Sequence, residues 1–232
     1  MTAGNRYNRT GKIIFVFLLL LIGFWGYVEI INRNSVHMTS RQKFLKAIYP
    51  VWMWMAKLKG TNTKELANTH ANPPVSFYTL KDTLTDGTLF EFASLKGKKV
   101  MLVNTASDCG YTSQYGDLEK LYQSNKDKLV VIGFPANDFK EQEKGTDTEI
   151  AAFCRKNFGV TFPLMHKSSV IKGTFQNEIF RWLTDASKNG WNEQQPTWNF
   201  CKYIVDENGK LVHFYGSSIA PGSKDIMNVI QE

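Results

Sequence analysis

The chain has 232 residues, of which 43% are hydrophobic and 21% charged, and it is about one and a half usual domain lengths. That balance excludes a disordered or collagen-like polypeptide, and three cysteines without a Cys-x-x-Cys pair exclude a disulfide-stapled scaffold, a zinc ribbon and a thioredoxin-type dithiol. The net charge of +7 is no nucleic-acid footprint: residues 1–74 carry 10 Lys/Arg against 2 Asp/Glu, while residues 75–232 carry 18 against 19. The basic excess sits beside an apolar stretch, as at a membrane surface, and no nucleic-acid partner is expected.

Residues 1–12 read as an N-terminal tail with Arg6, Arg9 and Lys12. From Ile13 to Val28 no charge occurs, and with Glu29, Ile30 and Ile31 the segment 13–31 is long enough to cross a bilayer once. It exceeds a signal-peptide core and no small-x-small cleavage site follows it. An uncleaved anchor is therefore favoured over a cleaved signal, and over a core helix, which a polar face would mark. The flanking cations nearly balance. Lys12 abuts the span and Glu29 marks its far edge, which favours a cytoplasmic N-terminus and an extracytoplasmic domain.

Residues 32–74 read as a juxtamembrane segment and linker. Arg41 to Gly60 is amphipathic, and Pro50 is expected to divide it into two short helical pieces. Its Trp52, Met53, Trp54 and Met55 with Lys46, Lys57 and Lys59 suit an interfacial belt and a helix packed on its own domain equally well. Gly60 to Pro74 is polar, ends Asn72-Pro73-Pro74, and reads as a linker.

Residues 75–232 read as one domain. Val75–Leu80 and Leu89–Phe92 flank the turn signal Thr85-Asp86-Gly87 and predict a hairpin. Lys99–Thr105 and Leu129–Phe134 are short apolar runs expected of buried strands. Helices are predicted over Gly116–Asn125, over Asp147–Phe158 with Gly159 as terminator, and over Phe175–Ala186. Thr161–Met165 reads as a short strand. Strands from Tyr203 and over Lys210–Tyr215 flank Asn208-Gly209 as a second hairpin, and Ser223 caps a last helix to Ile230. This is the order of a thioredoxin-like α/β fold, a central mixed sheet flanked by helices. No segment repeats at a fixed period.

Cys109 lies in Asn104-Thr-Ala-Ser-Asp-Cys-Gly-Tyr-Thr, after a buried strand and before a helix, where backbone N–H groups and the helix dipole favour a thiolate. A free Cys is commonly a small core residue, but the polar flanks Asp108, Gly110 and Thr112 argue for a reactive one. Thr112 stands where a dithiol oxidoreductase needs its second Cys.

Four segments, NTASDCGYTSQYGDLEKLY, GFPANDFKEQEKG, FCRKNFGVTFPL and WNFCKYIVDENGK, resemble in order and separation the signatures of the glutathione peroxidase family over roughly residues 75–232. The resemblance implies a thioredoxin fold, peroxide reduction by a peroxidatic Cys, and a tetrad that falls on Cys109, Gln142, Trp198 and Asn199. Neutral donors of this kind stabilise a thiolate and a departing alkoxide without acting as bases. No cofactor or metal is implied. Ala136 stands where many members have Cys, and Asp138 where Gln is usual. Cys201 stands where Thr is frequent. The segment from Phe175 to Trp198 lacks the insertion through which tetrameric members assemble, so a monomeric soluble part is expected. Cys154 resembles the resolving Cys of members that use thioredoxin, with Cys201 as its rival. The substrates expected are hydrogen peroxide and organic or lipid hydroperoxides. The reductant is a thioredoxin-like protein, or glutathione in a one-Cys cycle; a non-enzymatic peroxide sensor is the third reading.

Overall fold

The computed structural model describes residues 3–68 and 70–232; Met1 and Thr2 of the expected tail and Thr69 of the expected linker lie outside them. Helix α1 (Ala3–Ile31) begins well before the apolar run, so the tail is helical from Ala3. Helix α2 (Ser40–Lys59) opens with a capping box: the Thr39 hydroxyl accepts the Gln42 N–H, and the Gln42 side chain accepts the Thr39 N–H. It closes at Gly60, whose φ of 61° is the left-handed conformation that glycine adopts without strain.

Pro50 does not divide α2; the helix runs through it. An interior proline forfeits one backbone hydrogen bond and costs about 3 kcal/mol. Docking of α2 along its length on the domain, through Tyr49, Met53 and the buried Ala56, offsets that loss.

The central sheet has the order β1-β7-β6-β4-β5. Strand β1 (Glu65–Ala67) lies within the stretch read as linker and pairs antiparallel with β7 (Leu211–Tyr215). Strands β4 (Lys99–Thr105) and β5 (Leu129–Pro135) are parallel, joined through helix α3 (Gln114–Ser124), and β6 (Lys202–Val205) runs antiparallel between β4 and β7. A small sheet of β2 (Lys81–Thr83) and β3 (Leu89–Glu91) forms the first hairpin. Its first strand begins later than expected, because Phe77–Thr79 form a 3-10 turn capped by Ser76.

Alternation along the strands divides the core in two. Met101, Val103, Val131 and Ile204 face α3, α4 (Asp147–Phe158) and α7 (Lys224–Gln231), whereas Val100, Leu102, Ile132 and Tyr203 face α5 (Glu178–Leu183) and the 3-10 turns. Thr161–Met165 is not a strand: Leu164 and Met165 make only single bridges, to Gly133 and Leu84. The helix expected over Phe175–Ala186 is shorter, since Asn177 caps α5 and Thr184 ends it before α6 (Ala186–Asn189). The thioredoxin-like arrangement places the β4–α3 turn at one end of the sheet, and Cys109 occupies it.

Candidate active site

Between β4 and α3 the chain turns through Ala106–Ser113. The Thr112 hydroxyl accepts the Cys109 N–H at 2.9 Å and donates to the Ala106 carbonyl at 2.8 Å, which closes the turn on itself. The Tyr111 N–H is directed at Cys109 Sγ at 3.5 Å. Cys109 is 1% exposed. Burial pushes its thiol up from the ordinary value; the Tyr111 N–H, hydrogen bonds from the Trp198 and Asn199 side chains and the Arg41 charge pull it partly back.

Those two side chains are delivered by one tightly held loop. Asn104, at the end of β4, donates to the Trp198 carbonyl at 3.0 Å and accepts the Cys201 N–H at 3.0 Å, while its own carbonyl accepts the Phe200 N–H at 2.6 Å. Phe200 is held at φ 69°, an uncommon conformation for a bulky residue. Lys140 (φ 54°) and Glu141 (φ 51°) are also left-handed and turn Gln142 inwards. The Gln142 carbonyl accepts the Asp108 N–H at 3.0 Å, and its side-chain oxygen accepts the Asn199 amide at 3.0 Å. The half-buried Trp198 ring packs on Phe139, with the Lys140 ammonium 5.6 Å from its centre. The structure brings the four residues singled out from sequence to one place: Asn199 is hydrogen-bonded to Gln142, Gln142 to the Asp108 N–H beside Cys109, and Trp198 adjoins Asn199 in the loop that Asn104 holds. The Asp138 carboxylate is engaged by a different loop, where it accepts the Ser169 hydroxyl and the Val170 N–H, both at 2.8 Å.

All three cysteines are free and buried. Cys154, on α4, lies in the same half of the core as Cys109, and burial pushes its thiol up from the ordinary value. Cys201 lies in the other half, beyond the sheet, near the Ser217 hydroxyl at 3.5 Å.

Sequence reasoning passed over Asn104, whose clamp joins residues almost a hundred positions apart, and Glu143, beside Gln142. Glu143 is buried, accepts the Ser107 hydroxyl at 3.1 Å, and its carboxyl is raised from 4.5 to about 7, chiefly by desolvation. An acid whose folded pKa is raised contributes stability that is fully present below its unfolded value and lost as pH rises through about 7, on the order of 3 kcal/mol when fully ionised. Glu143→Gln should therefore raise Tm above neutral pH, with the gain vanishing in acid. Thermal melts across that window test this, and a gain independent of pH would refute the linkage. Among the described residues, no group of three or more His, Cys, Asp and Glu is disposed to hold a metal.

Helix α2 lies over the Cys109 turn. Arg41 pairs with Asp108, the Gln42 amide donates to the Ser107 carbonyl at 3.0 Å, and the Tyr49 hydroxyl donates to Asp117 at 3.1 Å. Trp52 sets its ring edge-on to Tyr111, and a Cβ on Gly110 would come within 3.3 Å of that indole. The space left beside Cys109, about 10 Å³, is that of a single water. A separate cavity of about 550 Å³ opens between the α1–α2 connection, the Gln142 loop and α4, lined by Val36, Thr39, Ser107, Gln142, Ile150 and Phe153. Reagents larger than water reach the sulfur only when α2 or the turn shifts. Gln42→Ala/Tyr49→Phe removes the two hydrogen bonds that tie α2 to the domain, about 1 kcal/mol each, besides the Gln42 capping contact, and should make Cys109 alkylation by iodoacetamide at least roughly ten- to thirtyfold faster. An unchanged rate would show that α2 does not control access.

The family model for glutathione peroxidase matches residues 77–184. A glutathione peroxidase-like peroxiredoxin of Chlamydomonas reinhardtii is 46% identical over 66% of this chain and 93% of its own length. Glutathione peroxidase-like peroxiredoxin 2 of Saccharomyces cerevisiae is 43% identical over 65% and 93%, and the glutathione peroxidase homolog BsaA of Staphylococcus aureus 41% over 58% and 85%. Among solved structures, apo Trgpx superposes with a TM-score of 0.53 at 33% identity, covering 68% of this chain and 97% of that one. A DsbF homologue from Corynebacterium diphtheriae reaches 0.51 at 17% identity over 74% and 94%, a likeness of fold alone.

Proposed function

The chain belongs to the glutathione peroxidase family and is a peroxidase, and we propose that Cys109 is its peroxidatic thiol, working with Trp198, Asn199 and Gln142 on hydrogen peroxide and organic or lipid hydroperoxides. The observation that carries this reading is the hydrogen-bonded link from Asn199 through Gln142 to the Asp108 N–H beside Cys109, with Trp198 held next to it by the Asn104 clamp. The thiolate attacks one peroxide oxygen, an S–O bond forms as the O–O bond breaks, and water or an alcohol departs with a proton. The donors stabilise the thiolate before attack and the departing oxygen during it. Cys109 is left as a sulfenic acid.

Cys154 is the resolving thiol in this reading. It displaces hydroxide from the sulfenic sulfur, which leaves as water, and the resulting Cys109–Cys154 disulfide is reduced by a thioredoxin-like dithiol protein. Two features support it over Cys201: Cys154 shares Cys109's half of the core, and it lies one turn from the C-terminal end of α4, so local unwinding can free it. The peroxiredoxin names of the relatives agree with such a reductant.

Peroxide turnover assayed with thioredoxin and its reductase, or with glutathione, tests the cycle. Thioredoxin-supported turnover is expected, lost in Cys154→Ser while the first oxidation persists. Peptide mapping of oxidised protein should find the Cys109–Cys154 linkage. A Cys109–Cys201 linkage would refute that assignment, turnover on glutathione alone would favour a one-Cys cycle, and no turnover with either would favour a sensor.

The anchor belongs to the same proposal. Thr10–Ile31 is a 22-residue helix of mean hydropathy 2.4, only 6% buried, and about 33 Å long, which suits a bilayer core. It is read as an uncleaved single-pass anchor with the N-terminus cytoplasmic and a monomeric catalytic domain outside. Full-length chain recovered uncleaved from a detergent-free soluble fraction would overturn the anchor.

A further inference from the structure

Helix α2 has two rows of side chains with different surroundings. The inner row, Gln42, Tyr49, Met53 and Ala56, lies on the domain as described. The outer row recurs at the same helical spacing on the other side: Phe44 is 38% exposed, Val51 58%, Trp54 63%, Met55 41% and Leu58 67%. Five large apolar side chains along one helix face form a contiguous patch of the kind that marks an interaction site.

Helix α1 indicates what covers it. The Phe44 ring stacks edge-on against Phe24 with 6.0 Å between centres, and Phe24 lies seven residues before the end of α1, about 10 Å inside it. Lys43 pairs with Glu29, and the Asn32 amide donates to the Lys43 carbonyl at 3.0 Å. The outer row therefore begins level with the apolar run of the span. From Ile30 to Lys64 the sequence holds seven Lys/Arg and no Asp or Glu, so nothing in that segment opposes attraction to anionic headgroups. Lys57 and Lys59, exposed beside Leu58, are placed to reach phosphate groups while their stems remain on the apolar row.

We propose that the outer row of α2 is a lipid-docking face, seated in the headgroup region of the bilayer that α1 crosses. This rests on reading α1 as a span. Its consequence is that α2 is held between the membrane and the Cys109 turn, so the sealed thiol lies on the membrane side of the domain, beneath α2. A protein reductant is not the occupant, because the row points away from the sulfur.

The test uses full-length protein in phosphatidylcholine–phosphatidylglycerol vesicles. A cysteine introduced as Leu58→Cys is the accessible thiol, since the three native ones are 1% exposed or less, and it takes an environment-sensitive fluorophore under native conditions. The control is Leu89→Cys on β3, 60% exposed and on the opposite side of the sheet. Iodide should quench the label at 58 several-fold less than the label at 89, and nitroxide-bearing lipid should quench it several-fold more. Flotation with the vesicles reads the anchor separately. A chain that floats with its 58 label open to iodide overturns the docking face and leaves the anchor standing. Protection from iodide without quenching by nitroxide lipid, and dependent on protein concentration, overturns it in favour of a second copy of the chain. A chain that does not float overturns both.

Discussion

Cys109→Ser should abolish peroxide reduction in a protein that still folds, a loss of roughly 10⁴-fold or more if it matches the removal of a nucleophile elsewhere. The substitution removes one buried sulfur and keeps a group that can accept the Tyr111 N–H, so the turn closed by Thr112 should persist. A hydroxyl, however, is not ionised near neutral pH and is a poor nucleophile toward a peroxide oxygen. The assay is steady-state turnover of the purified variant, with circular dichroism as the check on folding. Substantial residual turnover would move the chemistry to Cys154 or Cys201. Neither sits in the turn that Gln142 and Asn199 adjoin: Cys154 is buried on α4, and Cys201 lies in the other half of the core beside the Thr197 and Ser217 hydroxyls.

Asn199→Ala should slow the oxidation of Cys109 by about 10- to 1000-fold, in the range of a lost oxyanion donor, and Gln142→Ala should slow it less. The geometry sets this order. The Asn199 side chain lowers the Cys109 pKa and its amide holds the Gln142 side chain at 3.0 Å, so its loss withdraws support from the thiolate and releases another group. Gln142 reaches the sulfur only through Asn199 in the closed arrangement. Stopped-flow oxidation rates of the reduced variants give the comparison directly. Wild-type rates in Asn199→Ala would remove it from the site, and a larger defect in Gln142→Ala would show that Gln142 contacts the peroxide itself. Trp198→Phe keeps much of the packing on Phe139 and loses only the indole N–H, which separates donation from support.

Much of the frame could be read before any coordinates. Lys99–Thr105 and Leu129–Phe134 are unbroken apolar runs, and such runs have few alternatives to a buried strand. Thr146 and Gly159 bracket α4 with a capping box and a left-handed terminator, so its boundaries follow from local chemistry. The reading faltered where a distant contact overrides a local preference. Pro50 breaks an isolated helix, and only packing of α2 on the domain carries the helix through it. Glu65–Ala67 is too short and polar to announce a strand, and it becomes one because β7 offers a free edge.

The candidate site divides in the same way. Cys109, Gln142, Trp198 and Asn199 were singled out by the resemblance of four motifs to the glutathione peroxidase family, and their residue types suit peroxide chemistry. How they meet was not. The left-handed backbone at Lys140, Glu141 and Phe200, the Asn104 clamp, and the Ser107–Glu143 pair depend on segments brought together from far apart in the chain. The cover that α2 places over Cys109 is likewise a tertiary fact. The sequence marked Arg41–Gly60 as amphipathic and left membrane and domain equal as its partner; which row meets the domain and which is left exposed was decided only by the complementary surface of the Cys109 turn. The sequence by itself determined most of the elements, which follow from local pattern, and through its resemblance to the family it singled out Cys109 and the three side chains proposed to serve it. The tertiary structure alone decided access to Cys109, the order in which the side chains around it are linked, and the burial of Glu143, because those depend on distances between segments that no local pattern encodes.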